Sequence, residues 1–173
     1  MHVVVAVPQR LKRCINMQES YSEDLFGLLV PLADDRLILP RVTVAEVMTW
    51  QQPEKTDGAP AWLLGTVQWN TRAVPVVSVE AMSGKASPAV GGRTRIAIIV
   101  GVAGHLTGGY FGVMTQGFPQ LVRANADIVK PEPNHSYPDR GPVICRVRML
   151  NESPLIPDLD HIERLISQET KAA

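Results

Sequence analysis

Four histidines, two cysteines and several acidic pairs are the residues of this chain that could do chemistry. His2, His105, His135 and His161 share no short spacing, and there is no His-Glu-x-x-His or Cys-x-x-Cys, so no metal-type motif is present. Cys14 and Cys145 lie far apart and are expected to be reduced thiols rather than a disulfide. Asp34-Asp35 offers two carboxylates for acid–base work, yet adjacent acids between two apolar runs are also ordinary solvated turn formers. Asp158 and Asp160 precede a helical pattern, where capping accounts for them. Gly101-Val102-Ala103-Gly104 follows a strand-like run but lacks the Gly-x-Gly spacing that admits a pyrophosphate, and reads as a hairpin turn. Gly84-Lys85 lacks the upstream glycine of a phosphate loop, and there is no Gly-x-Ser-x-Gly. His105, beside glycine in a turn, reads as exposed. Catalysis needs converging acids, bases, nucleophiles or metal ligands. The sequence assembles no such set, so no catalytic, cofactor-binding or metal residue is assigned and a binding module is expected. A small enzyme with an unrecognised site is the competing reading.

The elements that would carry such a module are strands. Val (21) and Ile (10) together outnumber Leu (15) two to one, and β-branched side chains suit pleated sheets. Leu25 to Ala33 and Arg36 to Leu39 form a hairpin turned by Asp34-Asp35. Val42 to Trp50 alternates, with a slip near Glu46 that predicts a bulge or a short helical turn. Gln51 to Ala61 is a loop, and Ala61 to Leu64 is expected as one helical turn. Thr66 to Asn70 and Ala73 to Val79 pair around Thr71-Arg72. Ser83 to Arg93 is a loop, and Thr94 to Val102 is a buried strand to which Tyr110 to Thr115 pairs back. Gly117 to Ala124 is a further strand, with Asn125 capping a short turn. Lys130 to Gly141 is proline-rich loop. Pro142 to Leu150 and Ser153 to Ile156 make the last hairpin. Asp160 and Glu163 have capping-box spacing, and Leu159, Ile162, Leu165 and Ile166 share one helical face. About nine strands and one terminal helix point to barrels or a sandwich.

Length and charge agree with this. The 173 residues suit one domain, or two small ones sharing a core. With 45% hydrophobic and 20% charged residues, the chain is neither mostly disordered nor a coiled coil. Seventeen basic residues balance seventeen acidic ones, which argues against a nucleic-acid partner. No run reaches the roughly 18 apolar residues of a membrane span. Val3 to Val7 is stopped by Pro8 and followed by Arg10, Lys12 and Arg13, the reverse of a signal peptide. Residues 1–20 read as a flexible leader or as a mis-called start, with the true first residue at Met17.

One stretch is more specific. Gly65-Thr66-Val67-Gln68-Trp69-Asn70-Thr71-Arg72-Ala73-Val74-Pro75-Val76-Val77-Ser78-Val79 resembles the signature of CheW-like domains, Gly-Val-x-Asn-Leu-Arg-Gly, three residues, then Pro-(Val/Ile)-Val-Asp-Leu. Leu39-Pro40 with Val44 to Val47, Pro60 to Gly65, Phe111 to Met114 and Leu155 to Asp160 are similar to other family segments, in the family's order. The resemblance covers about residues 25 to 166. The chain departs from the family pattern at Gln68-Trp69-Asn70-Thr71, at Ser78 and at Thr115 to Phe118, and is most similar to the ChpC-type proteins of chemosensory systems that control type IV pili.

The resemblance implies a mainly β fold of two small SH3-like five-stranded barrels sharing a core, spanning residues 21–168, with a C-terminal helix and a tail at 169–173. It implies a non-catalytic adaptor without cofactors. Such an adaptor links the cytoplasmic tip of a methyl-accepting chemoreceptor to the regulatory domain of a CheA-type histidine kinase. It would be cytoplasmic, at the receptor array and not membrane-embedded. The alternative is an SH3-like interaction module in another envelope or pilus complex, with no kinase partner. Val44, Glu46, Gly65, Trp69, Asn70, Arg72 and Tyr110 fall at candidate partner-binding positions. Asn70 stands where the family has an Arg that pairs with the Glu retained here as Glu46. Arg72, on the same strand face two residues on, is expected to take over that pair. Trp69 is expected to point inward.

Overall fold

The computed structural model describes residues 25–172 except 126, 127, 133, 134 and 150. The expected leader, with His2, Cys14 and Met17, lies outside the described residues.

The first hairpin is β1 (Leu25–Pro31) and β2 (Arg36–Pro40), antiparallel with Leu28 opposite Leu39. A 3-10 turn at Arg41–Thr43 leads into β3 (Val44–Thr49). The predicted slip is real. Val44 pairs with Ile99 and Glu46 with Ile98, so Ala45 is the extra residue of a bulge.

The second hairpin is β4 (Leu63–Trp69) and β5 (Arg72–Val77). Leu63 and Leu64 begin the strand rather than complete a helical turn, with a register shift between Leu63 and Gly65. The turn is Asn70-Thr71, one residue earlier than expected, because Trp69 pairs with Arg72. Both turn residues have positive φ, 45° and 64°, as the twist-matched two-residue hairpin turn demands, and Asn tolerates that backbone best after Gly.

Strand β5 stops before the expected Val79. The Ser78 hydroxyl accepts from the Ala81 amide at 3.3 Å and caps the short helix α1 (Val79–Met82). Buried Glu80 on α1 accepts from the Ala33 amide and the Ser78 hydroxyl, which ties α1 to the β1–β2 turn.

Strands β6 (Arg95–Val100) and β7 (Tyr110–Thr115) pair antiparallel, Val100 opposite Tyr110. Then come β8 (Gln120–Ala124), β9 (Val129–Pro131), β10 (Val143–Met149) and β11 (Leu155–Pro157). Asn125 caps its turn as expected, with Oδ1 accepting from the Ile128 amide at 2.9 Å. Strand β9 overlaps the start of the expected Lys130 to Gly141 loop. Its Pro131 is tolerated because β9 is an edge strand.

Two sheets result. One has the order β8-β1-β2-β11-β10-β9 and is built from both ends of the chain. The other, β3-β6-β7-β5-β4, is built from its middle. The fold is therefore the expected pair of SH3-like β units, one of them with a sixth, three-residue strand. Consecutive residues of β6 enter two different cores. Ile96 and Ile98 fill the interior of the second sheet with Val67, Val74 and Val76. Ala97 and Ile99 fill the shared core with Val30, Leu37, Leu39, Phe111, Ile162 and Ile166. This two-sided burial is why the β6 sequence is continuously apolar. Removing a side chain such as Ile99 would cost about 2–5 kcal/mol.

The last helix, α2 (Leu159–Ala172), takes in residues 169–172, which were expected as tail. Its cap is Asp158, whose Oδ1 accepts from the His161 amide at 3.0 Å, so Asp160 and Glu163 do not form the capping box. Asp35 is no free acid at a turn tip either. It accepts from Arg146 Nη2 at 2.7 Å and Lys85 Nζ at 3.2 Å. Burial alone would raise the Asp35 pKa, but the hydrogen bonds from Arg146 and Lys85 outweigh it and hold the carboxyl below its ordinary value. Cys145, buried in β10, is disulfide-bonded, which overturns the reduced-thiol expectation. Among the described residues no helix is long and apolar enough to cross a membrane.

Candidate functional site

The second sheet closes on itself, and the candidate residues sit at the closure. Its edges are β3 and β4. Just beyond β3, Glu54 exchanges two backbone hydrogen bonds of 2.8 Å with Thr66 of β4. This brings the Glu54 carbonyl against Gly65. A Cβ at Gly65 would lie 2.7 Å from the Glu54 carbonyl carbon and closer still to its oxygen, and the Gly65 φ of +127° is a glycine conformation. Gly65 is buried, so it builds the closure and offers no contact surface.

Side chains finish the join. Trp69 Nε1 of β4 donates to Glu46 Oε2 of β3 at 2.7 Å. The Trp69 ring lies half-buried against Tyr110, centroids 4.9 Å apart and planes tilted by 59°. The Arg72 guanidinium covers the Tyr110 ring at 5.4 Å, and its Nη1 donates to the Gly108 carbonyl at 3.4 Å. The expected Arg72–Glu46 ion pair is therefore not formed. The indole has taken the carboxylate and the aromatic face has taken the cation. Trp69 is neither wholly core nor wholly surface: it packs against the cluster of Val67, Val74, Val76, Ile96 and Ile98 while its N–H reaches the exposed Glu46.

The fold thus gathers Glu46, Trp69, Arg72 and Tyr110 into one cluster, with exposed Asn70 in the adjoining turn. Val44 is not part of it. Val44 is half-buried against the shared core. Phe111, next to Tyr110, is fully buried, as adjacent strand residues on opposite faces require.

The turn that follows β6, residues 101–109, borders the cluster through Gly108 and is fastened to α2. Glu163 is 0% exposed. Its Oε1 accepts from the amides of Val102 at 2.6 Å and Ala103 at 3.0 Å, and its Oε2 from that of His105 at 3.3 Å. Three backbone donors replace the water such a carboxylate loses on burial. His105 is not freely exposed. Its Nε2 lies 2.9 Å from Asp160 Oδ1, and Asp160 also pairs with Arg164 at 2.6 Å. We assign the Nε2 proton to this bond, because a lone pair facing a carboxylate would be repelled. With its proton there, Nε2 has no lone pair to accept from Arg164 Nε, so that 3.3 Å approach is not a hydrogen bond. The hydrogen bond from His105, against slight desolvation and helped by the Arg164 charge, lowers the Asp160 pKa. Sequence reading missed Glu163 as a site residue. A signal existed, since Leu159, Ile162, Glu163 and Ile166 share one helical stripe and a carboxylate there needs buried partners.

Among the described residues no group of three His, Cys, Asp or Glu side chains is placed to hold a metal ion. Two β sheets thus share one core, and an aromatic and charged cluster lies at the closure of the second. The CheW-like domain profile matches residues 27–165, and the chain belongs to the CheW-like domain family. It is a non-catalytic adaptor of chemotaxis signalling. Among solved structures, the crystal structure of the scaffolding protein TtCheW from Thermoanaerobacter tengcongensis is similar at a TM-score of 0.66 and 16% identity, over 82% of this chain and 89% of that one. No curated protein matches significantly.

Proposed function

We propose that this protein couples chemoreceptor cytoplasmic tips to the regulatory domain of a CheA-type histidine kinase, within residues 21–168 and at the cytoplasmic receptor array. Its ChpC-type features favour a chemosensory system controlling type IV pili and twitching motility. The docking surface is the cluster of Glu46, Trp69, Arg72 and Tyr110 with the Asn70 turn beside it. The observation that carries this reading is the exposed part of that cluster. Trp, Tyr and Arg are the residue types that dominate binding energy at interfaces, and here they are stacked on one another at the family's signature hairpin.

The test is titration of the intact protein with a CheA-type regulatory domain and, separately, with a receptor tip fragment. Binding to both is expected, with Arg72→Ala or Trp69→Ala weakening at least one by about tenfold. A folded protein that binds neither would overturn the reading and leave an interaction module without a kinase partner.

A further inference from the structure

We infer that Glu163 is a positioning residue for the docking surface: from inside α2 it fixes the 101–109 turn, and through that turn the place of Arg72 over Tyr110. The inference rests on the docking reading given above and adds a control point that touches no partner.

The geometry forms a continuous path. The Glu163 carboxylate holds three amides of the turn, those of Val102, Ala103 and His105. Gly101 packs against the same carboxylate; a Cβ there would lie 3.3 Å from Oε2. At the far side of the turn the Gly101 amide donates to the Gly109 carbonyl at 2.8 Å, which fixes where Gly108 and Tyr110 emerge. Gly108 then offers its carbonyl to Arg72. Asp160 and Arg164 hold the same turn a second time, through His105. A four-glycine turn (101, 104, 108 and 109) has many backbone states open to it. Without the carboxylate it would sample them, and Arg72 would lose its anchor. Among the described residues no hydrogen bond or ion pair links Glu46, Trp69, Arg72 or Tyr110 directly to α2. The C-terminal helix therefore sets partner affinity through backbone order rather than contact.

The variants are Glu163→Gln, Arg72→Ala and the double substitution, with Asp160→Asn as a milder second way to loosen the turn. Affinity for the CheA-type regulatory domain and the receptor tip fragment is measured alongside hydrogen exchange. Glu163→Gln is expected to speed exchange at Val102, Ala103 and His105 while β1 and β2 stay protected, and to weaken binding by about tenfold. Asp160→Asn should weaken it by about twofold. In the Arg72→Ala background Glu163→Gln should cause no further loss, the mark of two residues acting through one path. Unchanged affinity in Glu163→Gln, or losses that add in full, would overturn the inference while leaving the docking surface intact. Unchanged affinity in Arg72→Ala would take Arg72 out of the docking surface, and this inference with it.

Discussion

Trp69 Nε1 donates to Glu46 Oε2 across 2.7 Å, joining the two edge strands of one sheet by their side chains. Trp69→Phe keeps a ring against Tyr110 and removes only the donor. The unfolding free energy should fall by about 1 kcal/mol, read from urea denaturation. Partner affinity should fall as well, since the freed Glu46 carboxylate loses its fixed place. Wild-type affinity in Trp69→Phe would take the indole N–H out of the docking surface.

Gly65→Ala should be far more costly. The new methyl collides with the Glu54 backbone and the φ of +127° is strained for any other residue. A loss of about 2–4 kcal/mol is expected by chemical denaturation. Gly91→Ala serves as its control, with nothing within 4 Å of the added methyl and no positive φ, and should stay within about 0.5 kcal/mol of wild type. Equal effects at the two positions would contradict the closure.

Thr71→Gly should stabilise. A β-branched residue at φ 64° carries left-handed strain of about 1–2 kcal/mol, partly offset by the greater freedom of glycine in the unfolded chain. A net gain of about 0.5–1 kcal/mol is expected, visible as a raised urea midpoint. A lowered midpoint would mean that the hydroxyl bond from Thr71 to the Asn70 carbonyl outweighs the strain.

Acid should weaken the β1–β2 turn first. The Asp35 pKa is depressed in the folded state, so its contribution is present above the unfolded carboxylate value, about 3.9, and disappears as pH falls through the lower folded value. Asp35→Asn should lower stability at pH 7 by about 1.5–3 kcal/mol, as the partly buried Arg146 loses a charged acceptor. As pH falls through the depressed folded value of Asp35, the variant and wild type should converge. A gap that stayed constant from pH 7 down through that range would exclude the ion pair as its source.

Local chemistry made most of the fold readable, and partner choice did not. The Asp34-Asp35 hairpin, the bulge at Ala45 and the turn at Asn125 follow from short-range rules. The β9 strand escaped because its three residues carry a proline and its pairing partner, β10, is remote in sequence. Within the site, the residue types of the cluster were legible, but which side chain meets which was not. Arg72 and Glu46 carry opposite charges, yet Trp69, directly opposite Arg72 in the β4–β5 pairing, holds the carboxylate instead. The twist and closure of a sheet decide such outcomes, and neither can be read from the order of residues.

The split composition of the two sheets orders events in time. A chain emerging from the ribosome as far as Thr115 already contains all of β3 to β7 and can shut that unit. Strands β1 and β2, made before that unit, must wait for β8, β10 and β11 before their own sheet is complete. Stalled nascent chains of increasing length should acquire protease resistance in the middle segment before the leading one. The β1–β2 hairpin, though translated before β3 to β7, is thus sheltered after them, a window in which its apolar Leu-Phe-Gly-Leu-Leu-Val run stands open to chaperones.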